Sequence, residues 1–381
     1  MIKQRILTEP VLEDGVLTEL TEIAPQLVLV FCSIRFLFSD DFVAALRNTF
    51  SGSVLMGCST AGEVGLEGVS EGSCVITAVR FEGDARVRLA EAHIADMAGS
   101  EAAGVYVGRM LASPELRAVL LFGSGVEING SSMIAGVAAQ VGSAVPVSGG
   151  LAGDDGAFVA TLTLSSSGIS ADGVVAVGFY GDDLIVGHGS FGGWSPFGPA
   201  HKVTRCDGNV LHELDGESAL SVYKRYLGAS ANALPAAGLL FPFEMLHSDR
   251  SPEGLVRTIL GVDEKSGSLI FAGDIHPDGY LRLMHAADAE LVDGAAQAAR
   301  LACRNLPEPR GDALAILVSC VGRKIVMGRR TGREVEAVSR ILGGKAAITG
   351  FYSYGEIGPF STTNECRLHN QTMTVTYLSE Y

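Results

Sequence analysis

One seven-residue phrase occurs three times in this chain, each time directly after a short apolar run. The copies occupy residues 57–63 (GCSTAGE), 148–154 (SGGLAGD) and 350–356 (GFYSYGE), and each ends in glycine followed by an acidic residue. A unit that recurs in this way predicts an architecture built by duplication. Glycine at a fixed place in each copy indicates positive φ or the close approach of another group. The phrase is therefore either a turn that the fold requires or a rim that faces a ligand.

Apolar runs alternate with helical patterns and turn signals along the chain. Short runs rich in β-branched residues predict buried strands, among them residues 26–33, 73–81, 85–92, 118–122, 173–180 and 314–320. Segments with apolar positions on one face predict helices, among them residues 40–50, 102–112, 131–141, 290–304 and 334–342. We expect Asp40 to cap the first of these helices and the strands at 73–81 and 85–92 to form a hairpin.

The order strand-helix-strand-strand-strand occurs twice before residue 193. This order predicts an α/β fold with mixed sheets (α+β) in two packed parts, of which the first is an internal duplication. Glycine, serine and proline in Gly192–Gly198 break the pattern and place a boundary there, giving domains at 26–193 and 203–381. The single tryptophan, Trp194, lies in this connector and either packs in the loop or caps a pocket.

Composition excludes several classes of protein. The 381 residues carry a net charge of −15, which disfavours binding to the phosphates of nucleic acids. No uninterrupted apolar stretch reaches about 18 residues, so we expect no transmembrane helix and no membrane partner. The N-terminus does not resemble a secretory leader, and the seven scattered cysteines suit a reducing cytoplasm.

Catalytic motifs are missing from the sequence. Gly123-Ser124-Gly125 lies between a strand and a helix and resembles a phosphate-cradling turn, but the Gly-Lys-Ser/Thr ending of a P-loop does not follow it. The chain contains no Cys-x-x-Cys pair and no His-Glu-x-x-His helix. These observations predict a protein that is not an enzyme and has no zinc site.

Three of the eight histidines have suggestive neighbours. His188 ends a strand beside the connector, His247 follows the apolar run 239–246, and His369 opens the last apolar segment. A single imidazole in an apolar cleft is what non-covalent haem requires, so these three are candidate metal ligands. A cysteine thiolate is the other possible axial ligand, and Cys206 and Cys320 are the candidates for that role.

One basic patch stands out in this acidic chain. Residues 323–333 contain five cations, beginning with Arg323 and including Arg329 and Arg330. Such a patch is either a solvated surface or a site for carboxylates such as haem propionates.

Several ordered motifs resemble the FIST family of sensory domains. The likeness spans residue 26 to the end, and the segments that carry it are 57–63, 146–154, 194–198, 203–216, 320–323, 350–356 and 369–373. The resemblance implies a cytoplasmic ligand-sensing protein of signal transduction without catalysis of its own. It also places Arg323 in a family motif, so we expect this residue to hold an anionic part of the ligand.

The free-standing branch that the chain resembles most implies a more specific function. Its members are haem-binding nitric-oxide sensors, and the resemblance implies a sensor histidine kinase or a cyclic-di-GMP enzyme as partner. The wider family implies a sensor of small amino-acid-like metabolites without haem as the alternative. The expected cofactor site comprises the three candidate histidines with Cys320, Arg323 and Trp194, and the oligomeric state stays open.

Overall fold

Three repeats of one unit form the body of the protein. The computed structural model describes residues 1–360 and 365–381. Each repeat contains, in chain order, an edge strand, a helix, an inner strand, one or two helices, a second inner strand, a β-hairpin and a central strand. The two inner strands are parallel to each other. The first repeat consists of β1 (Ile2–Leu7), α1 (Thr18–Glu22), β2 (Leu27–Cys32), α2 (Ile34–Leu37), α3 (Asp40–Thr49), β3 (Val54–Ser59), β4 (Glu63–Gly65), β5 (Gly68–Ser70) and β6 (Cys74–Val79).

The second and third repeats follow the same order. The second consists of β7 (Arg86–His93), α4 (Ser100–Leu111), β8 (Leu116–Gly123), α5 (Gly130–Val141), β9 (Val147–Leu151), β10 (Thr163–Ser165), β11 (Gly168–Ser170) and β12 (Gly173–Tyr180). The third begins with β13 (Leu184–Phe191), is interrupted by an insertion, and resumes at residue 288.

The insertion forms a β-rich unit of its own. It contains β14 (Ser195–Asp207), β15 (Val210–Leu214), β16 (Glu217–Ser218), α6 (Ala219–Leu227), β17 (Phe243–Leu246), β18 (Pro252–Arg257), β19 (Ile259–Asp263), β20 (Ser268–Phe271) and β21 (Tyr280–His285). The third repeat then continues with α7 (Asp288–Ala302), β22 (Ala313–Cys320), α8 (Val321–Met327), α9 (Gly332–Leu342), β23 (Ala346–Ser353), β24 (Gly355–Pro359), β25 (Cys366–His369) and β26 (Met373–Glu380).

The repeats exchange their hairpins in a cyclic manner. The strand orders of the three sheets are β1-β6-β2-β3-β10-β11, β7-β12-β8-β9-β24-β25 and β13-β26-β22-β23-β4-β5. Each sheet therefore takes its last two strands from another repeat. The hairpins follow the three signature phrases, so the phrases lie where neighbouring sheets meet.

A glycine in each signature lets the two parallel strands approach closely. A Cβ atom at Gly57, Gly149 or Gly350 would lie between 1.8 and 2.0 Å from a carbonyl oxygen of the adjacent strand. No side chain fits at that distance, and Gly149 and Gly350 also have φ of 140° and 154°. Gly57, Gly149 and Gly350 thus have the same structural cause, which is the close approach of two parallel strands in each repeat.

Three phenylalanines, one from each sheet, meet in the central core. The ring centroid of Phe31 lies 5.4 Å from that of Phe122 and 4.8 Å from that of Phe351, and Phe122 and Phe351 are 5.6 Å apart. All three side chains are fully buried. Gly150 faces Val318 and Phe351 so closely that a Cβ atom would lie 2.7 Å from the valine. The core therefore accommodates the large Phe351 ring by a glycine in the facing strand.

The mixed α/β fold with an internal duplication is confirmed, and the third repeat extends it. Two local expectations are wrong. The strands β6 and β7 do not pair with each other: β6 pairs with β1 and β2, and β7 pairs with β12, because the chain crosses between sheets at that point. Ser39 rather than Asp40 caps α3, since the Ser39 side chain accepts a hydrogen bond from the N–H of Phe42.

Candidate functional site

A cleft of about 710 Å³ lies between the insertion and the repeats. The body contributes the turn 125–130 between β8 and α5, residues that follow the second signature, Tyr354 of the third signature, and Leu368. The insertion contributes Asn209, residues 233–239, Leu260 and the segment 271–274. Most of the lining is apolar, which suits the burial of a small organic ligand.

Two stacked aromatic rings form part of the cleft wall. The rings of Phe158 and Tyr354 are 4.0 Å apart between centroids, with an interplanar angle of 11°. Phe158 has φ of 57°, a conformation that is uncommon for a bulky residue. The stack joins the second signature loop to the third signature.

Polar groups under this stack hold Phe158 in its unusual conformation. The Asp154 carboxylate accepts hydrogen bonds from the backbone N–H groups of Phe158, Val159 and Ala160 at 2.7–2.9 Å. The Tyr354 hydroxyl donates to the same carboxylate and lies 3.1–3.2 Å from the backbone nitrogens of Asp154, Gly156 and Phe158. The acid of the second signature therefore organises one wall of the cleft.

The acids of the other two signatures have purely internal partners. Glu63 accepts from Thr60 and Ser73, and Glu356 accepts from Ser353 and Thr372. Both carboxyl groups are fully buried. Burial raises the pKa of Glu63 and raises that of Glu356 to about 7, so loss of solvation outweighs the hydrogen bonds at both positions.

The charges on the cleft wall are negative. Among the described residues that line it, Glu127 and Asp274 are the only ionisable acids or bases apart from the Tyr354 hydroxyl, and both are exposed. The amino-terminal end of α5 begins at Gly130 on the same wall and offers backbone N–H groups. The cleft therefore presents an apolar surface, two carboxylates and one helix N-terminus.

Arg323 lies outside this cleft in a fully buried ion pair. Its guanidinium donates to Glu334 at 2.8 Å and to the carbonyl oxygens of Gly192, Leu291 and Gln371. The side chains of Arg323 and Glu334 both have no exposed surface. The guanidinium thus fixes the connector at Gly192 to the third repeat.

Trp194, Cys320 and His369 surround the same region. Trp194 donates its indole N–H to the carbonyl oxygen of Gln371 at 2.8 Å. Cys320 is buried at the start of α8, and its thiol has a raised pKa because of burial. His369 is buried with Nε2 3.0 Å from the carbonyl oxygen of Gly358, and burial lowers its pKa to about 4. The structure brings these residues close to Gln371 but not into the cleft.

The remaining candidates are dispersed. His247 is exposed in the turn between β17 and β18. Cys206 is half-buried with Sγ 3.6 Å from the carbonyl oxygen of Ile275, and burial raises its pKa. His188 lines a separate cavity of about 500 Å³ beside β13, and burial lowers its pKa to about 4.

Two parts of the cleft can be recognised in the sequence, and the other parts cannot. The sequence predicts that Gly123-Ser124-Gly125 resembles a phosphate-cradling turn, and it leaves a ligand rim as one interpretation of the signatures. A Cβ atom at Gly125 would lie 1.8 Å from the carbonyl oxygen of Ala152, so this glycine packs the turn against the second signature. Nothing in the sequence indicated that residues 233–239 and 271–274 of the insertion would form the opposite wall.

The described residues contain no group of three or more histidine, cysteine, aspartate or glutamate side chains placed to hold a metal ion. Within the same residues, no helix has both the length and the hydropathy of a transmembrane span.

The fold and the candidate site together define a three-repeat α/β protein with an inserted β unit and a ligand-sized cleft between the two. The chain belongs to the FIST family: residues 26–217 match the FIST N domain and residues 219–359 match the FIST C domain. This membership supports a role as a sensor of small ligands in signal transduction.

Three relatives of the chain are uncharacterized proteins. Uncharacterized proteins of Mycobacterium bovis and Mycobacterium tuberculosis are each 28% identical over 191 residues, which is 48% of this chain and 48% of theirs. The chain thus spans about half the length of these relatives. An uncharacterized protein of Methanocaldococcus jannaschii is 38% identical over 87 residues, or 22% of this chain and 15% of its own length. Among solved structures, a cyanuric acid hydrolase from A. caulinodans aligns with 100% of this chain and 99% of its own, with 9% identity and a TM-score of 0.37.

Proposed function

We propose that the protein senses a small amino-acid-like metabolite in the cleft between the insertion and the repeats, and that it does not transform this ligand. The observation that carries the proposal is the cleft lining: an apolar wall with a stacked aromatic pair, two carboxylates and one helix N-terminus. An ammonium group suits Glu127 or Asp274, and a carboxylate suits the first turn of α5. An apolar side chain suits the rings of Phe158 and Tyr354.

Hydrogen bonds connect the cleft wall to the connector that leads into the insertion. Leu239 lines the cleft, and its carbonyl oxygen accepts a hydrogen bond from the Gln371 side chain at 2.9 Å. The Gln371 carbonyl oxygen in turn accepts from Trp194 in the connector that leads into the insertion. A ligand that contacts both walls changes the relative stability of open and closed arrangements, and only such a difference shifts a population.

The output is an altered surface that a partner protein reads. A cytoplasmic sensor histidine kinase or a cyclic-di-GMP enzyme is the partner that we propose, on the basis of the sequence resemblance. The proposal predicts that ligand alters autophosphorylation or cyclic-di-GMP turnover by that partner.

Haem-dependent sensing of nitric oxide is the second candidate. The cleft does not suit haem, because the described residues of its lining include no histidine or cysteine to hold the iron and no lysine or arginine to pair with two propionates. His188 is the residue that favours this candidate, since both of its ring nitrogens are shielded and have no hydrogen-bond partner among the described residues. His188 would hold the iron, and Arg304 in the same cavity would bind a propionate. When bound, haem would supply an iron centre that takes up nitric oxide.

Calorimetric titration with L-phenylalanine and L-leucine tests the first candidate. We expect binding to the native protein and at least about tenfold weaker binding to the Phe158→Ala and Glu127→Gln variants. Phe38→Ala is the matched control, because Phe38 is 64% exposed and lies outside the cleft. Equal affinity in all four proteins would place the ligand elsewhere.

An absorption spectrum after addition of hemin tests the second candidate. A Soret band that is lost in His188→Gln but kept in His247→Ala would support haem binding. A protein that stays colourless excludes the haem candidate and leaves the metabolite candidate intact.

A further inference from the structure

Gln4 and His188 hold equivalent positions in two repeats. Gln4 of β1 lies opposite Thr77 of β6, and His188 of β13 lies opposite Thr376 of β26. Each threonine is the fourth residue of its central strand. The two side chains therefore belong to equivalent seams, where the edge strand of one sheet meets the next sheet.

Gln4 closes its seam by hydrogen bonds within the protein. Its side-chain nitrogen donates to the Thr77 hydroxyl at 3.0 Å and to the carbonyl oxygen of Ile348 at 2.9 Å. Its side-chain oxygen accepts from the N–H of Leu66 at 2.7 Å. These bonds link the first sheet to β23 and to the hairpin loop of the third sheet.

The seam at His188 is open instead. A cavity of about 500 Å³ lies there, with lining from β13, the end of α7, the loop before β9 and the end of β24. Neither ring nitrogen of His188 has a hydrogen-bond partner among the described residues, nor does the hydroxyl of Ser190, two residues further along the strand. Shielded polar groups in native proteins normally have partners. Gln4 thus uses its hydrogen-bonding groups within the protein. His188, at the equivalent position, can use its ring nitrogens to bind a ligand.

The charge of this cavity is opposite to that of the cleft. Arg304 is the one charged residue among the described residues that line it. The Arg304 side chain is exposed and makes no ion pair or hydrogen bond with the described residues. No acid of the described lining competes for this guanidinium, although the chain carries a net charge of −15. The site therefore favours an anion, and a guanidinium binds a carboxylate through two parallel hydrogen bonds.

We propose that the cavity at His188 is a second ligand site, separate from the cleft, for a molecule that carries a carboxylate. Arg304 binds the carboxylate, while the imidazole of His188 and the hydroxyl of Ser190 hydrogen-bond to the polar groups of the ligand. Phe360 and Leu306 contact its apolar part. The carboxylate belongs either to a free organic acid or to a haem propionate, which share this chemistry.

Benzoate is the probe, and the ring nitrogens of ¹⁵N-labelled histidine are the readout. We expect benzoate to shift the His188 signals in the intact protein and to bind at least about tenfold more weakly to Arg304→Gln. Arg300→Gln is the matched control, because Arg300 lies one helical turn earlier on α7 in an exposed position and does not line the cavity. His188→Gln reproduces the residue of the first repeat, so we expect a folded protein that binds benzoate more weakly.

A hemin titration in the same proteins distinguishes the two sources. If hemin displaces benzoate and gives a Soret band that is lost in His188→Gln, the carboxylate is a haem propionate. If benzoate binds and hemin does not, the carboxylate belongs to a free acid. Unchanged His188 signals with both probes, or equal benzoate affinity in the native protein, Arg304→Gln and His188→Gln, would overturn the proposal. Competition between benzoate and L-phenylalanine for the cleft, with His188 signals unaffected, would also overturn it.

Discussion

Trp194 donates its indole N–H to the carbonyl oxygen of Gln371 at 2.8 Å, and this bond anchors the connector between β13 and the insertion. The side chain of the same glutamine reaches the carbonyl oxygen of Leu239 on the cleft wall. Arg323 donates to the carbonyl oxygens of Gly192 and Gln371 from the other side. The cleft, the connector and the buried ion pair are therefore parts of one contiguous network around Gln371.

Trp194 should report ligand binding through its fluorescence. It is the only tryptophan of the chain and lies at the connector, so its emission monitors this network without labelling. We expect L-phenylalanine to change the emission of the native protein and of Phe38→Ala, but not that of Phe158→Ala at the same concentration. An identical change in Phe158→Ala would show that the tryptophan responds to something other than the cleft.

Loss of the Arg323 side chain should lower the stability of the protein rather than weaken ligand binding alone. Removal of one partner leaves the Glu334 carboxylate buried without its cation, which costs about 3–5 kcal/mol. We expect the free energy of unfolding in urea to fall by this amount in Arg323→Met. Arg329→Met is the control, since Arg329 is exposed. A stable Arg323→Met protein with weakened ligand binding would instead support the anion-holding role that the sequence predicts.

Tyr354→Phe should destabilise the loop that carries Phe158. The variant keeps the stacked ring but removes the hydroxyl that serves Asp154 and three backbone nitrogens. Groups left without a partner cost about 1–3 kcal/mol. Hydrogen exchange at residues 156–160 should accelerate, whereas Tyr106→Phe, at a 54% exposed position, should behave as the native protein. Unaltered exchange in Tyr354→Phe would mean that the stack and the Asp154 carboxylate hold the loop without the hydroxyl.

Gly153→Val should lower the melting temperature. A Cβ atom at Gly153 would lie 2.7 Å from the backbone nitrogen of Ala61, where the second signature packs on the first. Overpacking of this kind costs about 1–3 kcal/mol. Gly52→Val is the control, because nothing lies within 4 Å of a Cβ atom there. Equal melting temperatures for the two variants would contradict the tight contact.

Glu356 should make stability fall as pH rises. Burial raises its pKa from 4.5 to about 7, so the folded protein binds the proton more tightly than the unfolded chain does. The stabilisation is complete below about pH 4.5 and is lost as pH rises through about 7, with a total of about 3 kcal/mol. His188 and His369 have the opposite effect on the pH dependence of stability. Because burial lowers their pKa values to about 4, their contribution makes stability rise with pH.

The Glu356→Gln variant isolates the carboxyl contribution from that of the histidines. We expect its stability relative to the native protein to increase between pH 4.5 and pH 8, measured by urea unfolding at each pH. A constant difference across this range would show that the fold does not raise the pKa of Glu356.

The repeated signature was sufficient to predict duplication, because one glycine in each copy meets the same local requirement. The approach of parallel strands at Gly57, Gly149 and Gly350 excludes a side chain, and this constraint is visible in the sequence as a glycine in each copy. The cyclic exchange of hairpins does not produce a recognisable residue pattern in the sequence. An apolar run such as residues 73–79 has the same pattern whether its neighbour in sequence pairs with it or crosses into another sheet.

Arg323 illustrates why side-chain roles could not be assigned from the sequence. A cluster of cations within eleven residues suggested an anion site, yet the fold turns this one arginine inward to Glu334 and leaves Arg329 outside. Charge type is a property of the residue, whereas burial and partner depend on which elements pack around it.

The sequence by itself determined the repeat, the α/β class, the family and the glycine-rich turn that lines the cleft, since these depend on local periodicity and backbone sterics. Only the tertiary structure decided where ligands can bind. The cleft joins Phe158 and Tyr354 to residues 233–239 and 271–274, and the second cavity joins His188 to Arg304. These contacts link segments that are far apart in the chain, and packing across the seams of three sheets brings them together.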